Sequence, residues 1–178
     1  MSDNGHESSG FCRLDGLGVV ITGSSSGVGR AMACELSRAG ARVLVHCRRS
    51  IESAESLVES IRSSGGEAHL LVADLSDTGE ADAMLERSWQ ALGHVDAWVN
   101  NAGVDLLTGD ESSWGFDEKL AALWEVDVRA TIRLAREAGR RMHEAGGGVV
   151  LNIGWDQAER GMEGDSGELF AAAKGAVM

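Results

Sequence analysis

Apolar residues in this chain follow two alternating patterns. Residues 19–21, 43–45, 70–72, 95–99 and 149–153 are short runs rich in branched side chains, the habit of strands buried on both faces of a parallel sheet. The segments between them repeat apolar residues at helical spacing. Residues 31–39 carry a first helix, and 50–63 a second, with Ile51, Ala54, Leu57, Val58 and Ile61 in phase. Residues 78–92 carry a third, with Ala81, Met84, Leu85 and Trp89 on one side. A longer helix over about 118–144 is stopped by Gly146, Gly147 and Gly148. Such alternation predicts an α/β fold: a Rossmann-type doubly wound parallel sheet in three α/β/α layers, strand order 3-2-1-4-5. With no internal repeat or low-complexity tract, residues 14–178 read as one domain behind a polar tail, 1–13, expected to be disordered.

The most specific local signal lies where the first strand meets the first helix. Thr22 is followed by Gly23, Ser24, Ser25, Ser26, Gly27, Val28 and Gly29. A strand ending in glycines at a helix N-terminus presents unpaired backbone N–H groups and the positive end of a dipole, which suits a pyrophosphate. The second strand ends in Arg48 and Arg49, with no acid before Glu52. An acid there would accept hydrogen bonds from a ribose 2′-hydroxyl, whereas arginine accommodates a 2′-phosphate through charge-assisted contacts. NADP(H) is therefore favoured over NAD(H), although two solvated arginines after a strand remain the plain alternative.

Asn100-Asn101-Ala102-Gly103 follows another apolar strand, Asp74-Leu75 ends a third, and Phe170-Ala171-Ala172-Ala173-Lys174 lies near the C-terminus. In this order they resemble the short-chain dehydrogenase/reductase family, with its T-G-x-x-x-G-x-G, N-N-A-G and Y-x-x-x-K motifs, and most of all its 3-oxoacyl-carrier-protein reductases. The resemblance runs from Leu14 to the last residue. It implies an oxidoreductase that moves hydride between a nicotinamide and a small carbonyl or alcohol substrate. It also implies that Asp74 and Leu75 meet the adenine, and that Asn101, Ala102 and Gly103 floor the cofactor groove. Asp74 and Ser76 equally suit a helix N-cap. Measured against the family, the chain lacks the last two strands and the substrate loop, so the resemblance implies a C-terminally truncated fragment.

The catalytic identities depart from the family pattern. The general-acid tyrosine is Phe170, and the chain contains no tyrosine. Lys174, which the resemblance assigns to the nicotinamide ribose and to lowering the phenol pKa, is kept. The carbonyl-polarising serine falls on Trp155, or on Gln157 by strict count, and the asparagine of the long helix falls on Asp127. Asp156, Glu163, Asp165 and Glu168 lie between the fifth strand and Lys174. A carboxyl raised by burial against Trp155, such as Asp156, would serve as a substitute acid, but all four read more readily as solvated charges on a loop. Two functions stay open: an NADP(H)-dependent oxidoreductase, or a dinucleotide-binding protein with impaired chemistry and a sensing or assembly role. A third reading, a truncated product with an open sheet edge, is weaker.

Composition narrows the partners. At 178 residues and 43% hydrophobic content, the chain can bury one substantial core. Sixteen basic residues against 28 acidic ones give a net charge of −12, which argues against nucleic acid or an anionic membrane. Cys12, Cys34 and Cys47 lack metal-ligand spacing, so no metal site is expected, and they read as reduced thiols of a cytoplasmic protein. His46, His94 and His143 read as surface or satisfied histidines, and Trp89, Trp98 and Trp124 as core. In the family the long helix and the lysine-bearing helix pair with their copies. The apolar Leu120, Leu123, Trp124 and Ile132 fit such a homodimer or homotetramer.

Overall fold

The computed structural model describes residues 13–108 and 110–178; Cys12 and residues 1–12 of the expected tail lie outside the described residues. Five parallel strands, β1 (Gly18–Ile21), β2 (Arg42–Cys47), β3 (Ala68–Val72), β4 (Ala97–Asn100) and β5 (Val149–Asn152), form one sheet in the order β3-β2-β1-β4-β5. The helices are α1 (Gly27–Arg38), α2 (Ile51–Ser63), α3 (Thr78–Leu92), α4 (Phe116–Leu123), α5 (Thr131–Glu144) and α6 (Asp165–Val177). The doubly wound order is as the alternation predicts.

Side chains alternate across each strand, so each sheet face seeds its own core. Val19, Ile21, Val43 and Val45 pack with Ala33, Ala54, Leu57 and Ile61 of α1 and α2. Val20, Leu44 and Trp98 point to the other face and pack with Met84, Leu85, Leu134 and Ala138 of α3 and α5. Trp98 is fully buried and stacks on Trp89 with ring centroids 6.0 Å apart. A third cluster (Leu106, Leu123, Val128, Leu169 and Ala173) joins α4 and the segment after it to α6.

Several expectations change. Ile51 is 42% exposed, because it opens α2 ahead of the turns that reach the sheet. The fifth strand is not buried on both faces: β5 is an edge strand, with Val149 and Leu151 about half exposed. Trp124 is 55% exposed rather than core, whereas Leu123 is buried and belongs to the third cluster rather than to a spare apolar face. The long helix is interrupted between α4 and α5 by a π-helical segment, Trp124–Ala130. It contains neither proline nor glycine, so nothing in the apolar spacing marks it, and such wide turns recur at functional sites. Its buried centre is Asp127.

Candidate functional site

The C-terminal ends of β1, β2, β3 and β4 surround a groove of about 530 Å³. It opens where strand order reverses, between β1 and β4, the place where doubly wound sheets hold ligands. Gly23, Ser25, Ser26 and Val28 form one wall, Arg48, Asp74 and Leu75 another, and Asn101, Ala102 and Gly103 the floor.

Buried polar side chains fix the glycine turn. Thr22 Oγ1 accepts hydrogen bonds from the N–H groups of Asn101 and Ala102, both at 2.9 Å. Asn101 Nδ2 returns hydrogen bonds to the carbonyls of Thr22 and Gly23. A Cβ on Gly23 would lie 2.7 Å from Ala102 Cα, and one on Gly29 2.5 Å from Asn101 Nδ2, so only glycine permits this approach. Gly27 differs: its φ of +53° sets the turn, and a Cβ there would meet nothing within 4 Å. The N-cap of α1, Ser26, makes no side-chain capping bond, which leaves the helix N-terminus open to the groove.

Not every serine of the turn is available to a ligand. Ser24 is fully buried: its hydroxyl donates to Ile21 O at 2.7 Å and accepts from His46 N at 3.0 Å. It does not line the groove as expected, because both sides of its hydroxyl are spent on strand ends. Gly27 faces a neighbouring shallow surface beside Arg30.

His46 is the anchor that sequence reading left as background. Its Nδ1 accepts the Gly23 N–H at 2.9 Å, and its Nε2 lies 3.1 Å from Ala73 O, so the ring is the neutral Nε2–H tautomer. Burial drives its pKa down to about 4, against smaller opposing effects of Ala73 and Asp74. One side chain thus ties the ends of β1, β2 and β3. The signal in the sequence was a histidine inside an otherwise apolar strand, one residue before the chain turns out.

The two arginines part company. Arg48 lines the groove with Nη1 3.8 Å from Asp74 Oδ2, whereas Arg49 is largely exposed at the rim, 3.7 Å from Glu111. Asp74 Oδ1 accepts from the N–H and hydroxyl of Ser76. Burial works to raise its carboxyl, but these bonds and both arginines outweigh it and hold it below the usual range. The α3 N-cap is Asp77, which accepts from Glu80 N at 2.9 Å, so Asp74 is not that cap. Beyond the expected residues, Cys47, Ala73, Val104, Asp105, Thr108, Glu111 and Val126 also line the groove.

The positions expected to do chemistry lie on α6, the π-helical segment and the turn after β5, and the structure pairs Asp127 with Lys174 and Phe170 with Trp155. Asp127 is fully buried; its Oδ2 accepts the Val104 N–H at 2.9 Å, and its Oδ1 lies 3.2 Å from Lys174 Nζ. Burial raises its carboxyl pKa, opposed by Lys174 and the Val104 bond. A Cβ on Gly103 would fall 2.8 Å from Asp127 Oδ1, so this glycine makes room for a carboxylate. Phe170 stands edge-on to Trp155, centroids 6.3 Å apart, with no proton to give. Asp156 is exposed and hydrogen-bonded by Gln157, so the burial its role as acid required is absent. Asp165 and Glu168 lie in the first turn of α6 rather than on a loop.

Residues 18–178 match the family described as short chain dehydrogenase. The chain belongs to that family. A short-chain dehydrogenase/reductase of Pestalotiopsis microspora is 33% identical over 165 residues, covering 93% of this chain and 60% of the relative. A versicolorin reductase of Emericella nidulans is 31% identical over 171 residues, covering 93% and 61%. The chain therefore spans about 60% of the length of these curated relatives. A metagenomic short-chain oxidoreductase solved with NADP has a TM-score of 0.80 at 31% identity, covering 92% of this chain and 72% of that one. A short chain dehydrogenase of Burkholderia cenocepacia, also with NADP, has a TM-score of 0.78 at 31% identity, covering 93% and 65%.

Proposed function

We propose that the groove binds NADP(H) and that this short-chain dehydrogenase serves hydride transfer between the nicotinamide and a small carbonyl or alcohol substrate. The observation that carries the reading is the uncapped N-terminus of α1 facing a groove whose opposite wall is Arg48. Gly23, Ser25, Ser26 and Val28 would receive the pyrophosphate, Arg48 the 2′-phosphate, with Asp74 and Leu75 at the adenine and Asn101, Ala102 and Gly103 along the ribose. Bound NADP(H) would supply or take up the hydride. The NADP complexes of the similar solved proteins support the choice of cofactor.

A second reading has its own support: a dinucleotide-binding protein of sensing or assembly type with little turnover. Phe170 against Trp155 places carbon where a proton donor and a carbonyl-polarising hydroxyl would stand. General acid catalysis contributes about 10²–10⁴-fold, so its loss leaves slow reduction at most. The half-exposed Trp124, Ile132 and Leu120 support self-association of the full-length protein into a homodimer or homotetramer. The free thiols Cys34 and Cys47 support a cytoplasmic location. No helix among the described residues is long and apolar enough to cross a membrane.

Fluorescence titration with NADPH and NADH tests the cofactor reading. NADPH is expected to bind tighter by about 1.5–3 kcal/mol, roughly 12- to 140-fold, and Arg48→Asp to erase the difference. Equal affinities in the parent chain, or an unchanged preference in Arg48→Asp, overturn it.

A further inference from the structure

Lys174 and Phe170 share a face of α6, four residues apart. A free ammonium at 174 would favour any anion forming at 170, since a nearby cation stabilises the charged form of an acid. The structure gives that ammonium a partner. Asp127 Oδ1, side chain wholly buried, sits 3.2 Å from Lys174 Nζ, whose side chain is only 15% exposed. This contact is an ion pair rather than an aligned hydrogen bond, and Oδ1 receives no hydrogen bond. The other oxygen is fixed by Val104 N–H, and the carboxylate occupies the space that a Cβ at Gly103 would otherwise fill.

We propose that Asp127 is a positioning residue that clamps Lys174 against the π-helical segment and cancels its charge at position 170. Other charged groups nearby are otherwise engaged. Glu125 pairs with Arg129 in the same segment, Arg129 also donates to Ser76 O, and Lys119 of α4 donates to Ser166 Oγ at 3.3 Å. Asp165 and Glu168 of α6 are exposed. Asp127 alone therefore holds Lys174 among these groups. A tyrosine restored at 170 would meet a neutral pair, so the motif spacing of Lys174 does not by itself recover an acidic phenol.

The chain offers an unusually clean readout, because it has no tyrosine and Phe170→Tyr introduces the single one. Its ionisation can be followed by ultraviolet absorbance of the phenolate, without cofactor or substrate, so the outcome is independent of whether NADP(H) binds. In Phe170→Tyr the phenol is expected to titrate at or above the ordinary value of about 10. In Phe170→Tyr with Asp127→Asn it is expected to fall by one unit or more, a tenfold or greater rise in ionisation constant. The asparagine keeps an acceptor for Val104 N–H, and adding Lys174→Met should reverse the fall. A phenol already well below the ordinary value in Phe170→Tyr overturns the clamp without needing the second substitution. An unchanged phenol on adding Asp127→Asn overturns it equally.

Discussion

The pH dependence of folding should carry the imprint of His46. The ring is neutral in the fold because its Nδ1 must accept from Gly23 N–H and because burial penalises the cation. Unfolded, it titrates near 6.5; folded, near 4. Between those values the unfolded chain binds the extra proton, so stability is fully present above about 6.5 and falls as pH drops toward 4. Linkage over this interval amounts to roughly 3 kcal/mol in all, about 2 kcal/mol of it between pH 7 and 5. Few competing effects share that window. Asp74, Asp105 and Glu137 are held below their ordinary values, so their losses come at lower pH, where carboxylates take up protons in the unfolded chain. Asp127 works with the opposite sign: its raised folded pKa means that acidification through it favours the fold.

Comparison with His46→Asn removes every effect the two proteins share. The carboxamide oxygen can replace Nδ1 as acceptor, while Ala73 O loses its donor at a cost of about 1–3 kcal/mol. At pH 7 the variant should be the less stable. By pH 5 the gap should have narrowed by about 2 kcal/mol, because only the parent still carries the titrating ring. Urea unfolding followed by tryptophan emission gives the free energies, with buried Trp98 stacked on Trp89 as the reporter. Parallel pH slopes for parent and variant would refute the reasoning, since a buried neutral imidazole cannot leave the slope unchanged.

Gly29→Ala should destabilise by about 1–3 kcal/mol and weaken NADPH binding, because its Cβ would meet Asn101 Nδ2 at 2.5 Å and Gly23 O at 2.7 Å. Gly27→Ala, strained only in φ, should cost about 1–2 kcal/mol, and urea midpoints showing Gly27→Ala to be the more damaging would contradict the close-approach argument. For assembly, Trp124→Asp in the full-length protein should shift sedimentation toward monomer, and a parent already monomeric at micromolar concentration would remove the case for self-association.

The fold was legible because it rests on periodicity, and periodicity is a property of the chain. Each short branched run became a strand, and Gly146, with φ +108°, and Gly147, with φ +136°, end α5 where their clustering placed the stop. The wall-forming glycines were legible for a related reason: a βα turn that must come within van der Waals contact of the next strand end tolerates no Cβ. What pattern could not show was the partner of each polar side chain. Ser24, Ser25 and Ser26 look alike in sequence, yet one is spent on Ile21 and His46 while the other two face the groove. Arg48 and Arg49 are adjacent, and the turn aims only the first inward. Asp127 was found by its place in a motif, but its ion pair depends on a π-helical turn that leaves no trace in apolar spacing.

The groove and the chemical positions are also held by different means, which bears on how one can persist without the other. Thr22, His46 and Asn101 lock the glycine turn through backbone groups of β1 to β4 and their following turns, and none of these bonds involves α6. Position 170 and Lys174 instead ride on α6, which is attached through its own cluster, the Lys174–Asp127 ion pair, the bonds of Ser166 to Lys119 and Leu106, and a polar chain from β4. Trp98 Nε1 donates to Asn100, Asn100 donates to Asn152, and Asn152 Nδ2 donates to Val177 O at 3.0 Å. On the proposed reading, the departures at 170 and at 155 or 157 therefore alter the reacting end without touching the bonds of Thr22, His46 and Asn101 that shape the groove wall. Losing the phenol removes a proton donor while the wall stays intact. On that reading, a chain built this way would bind NADP(H) at an intact wall and still turn over slowly.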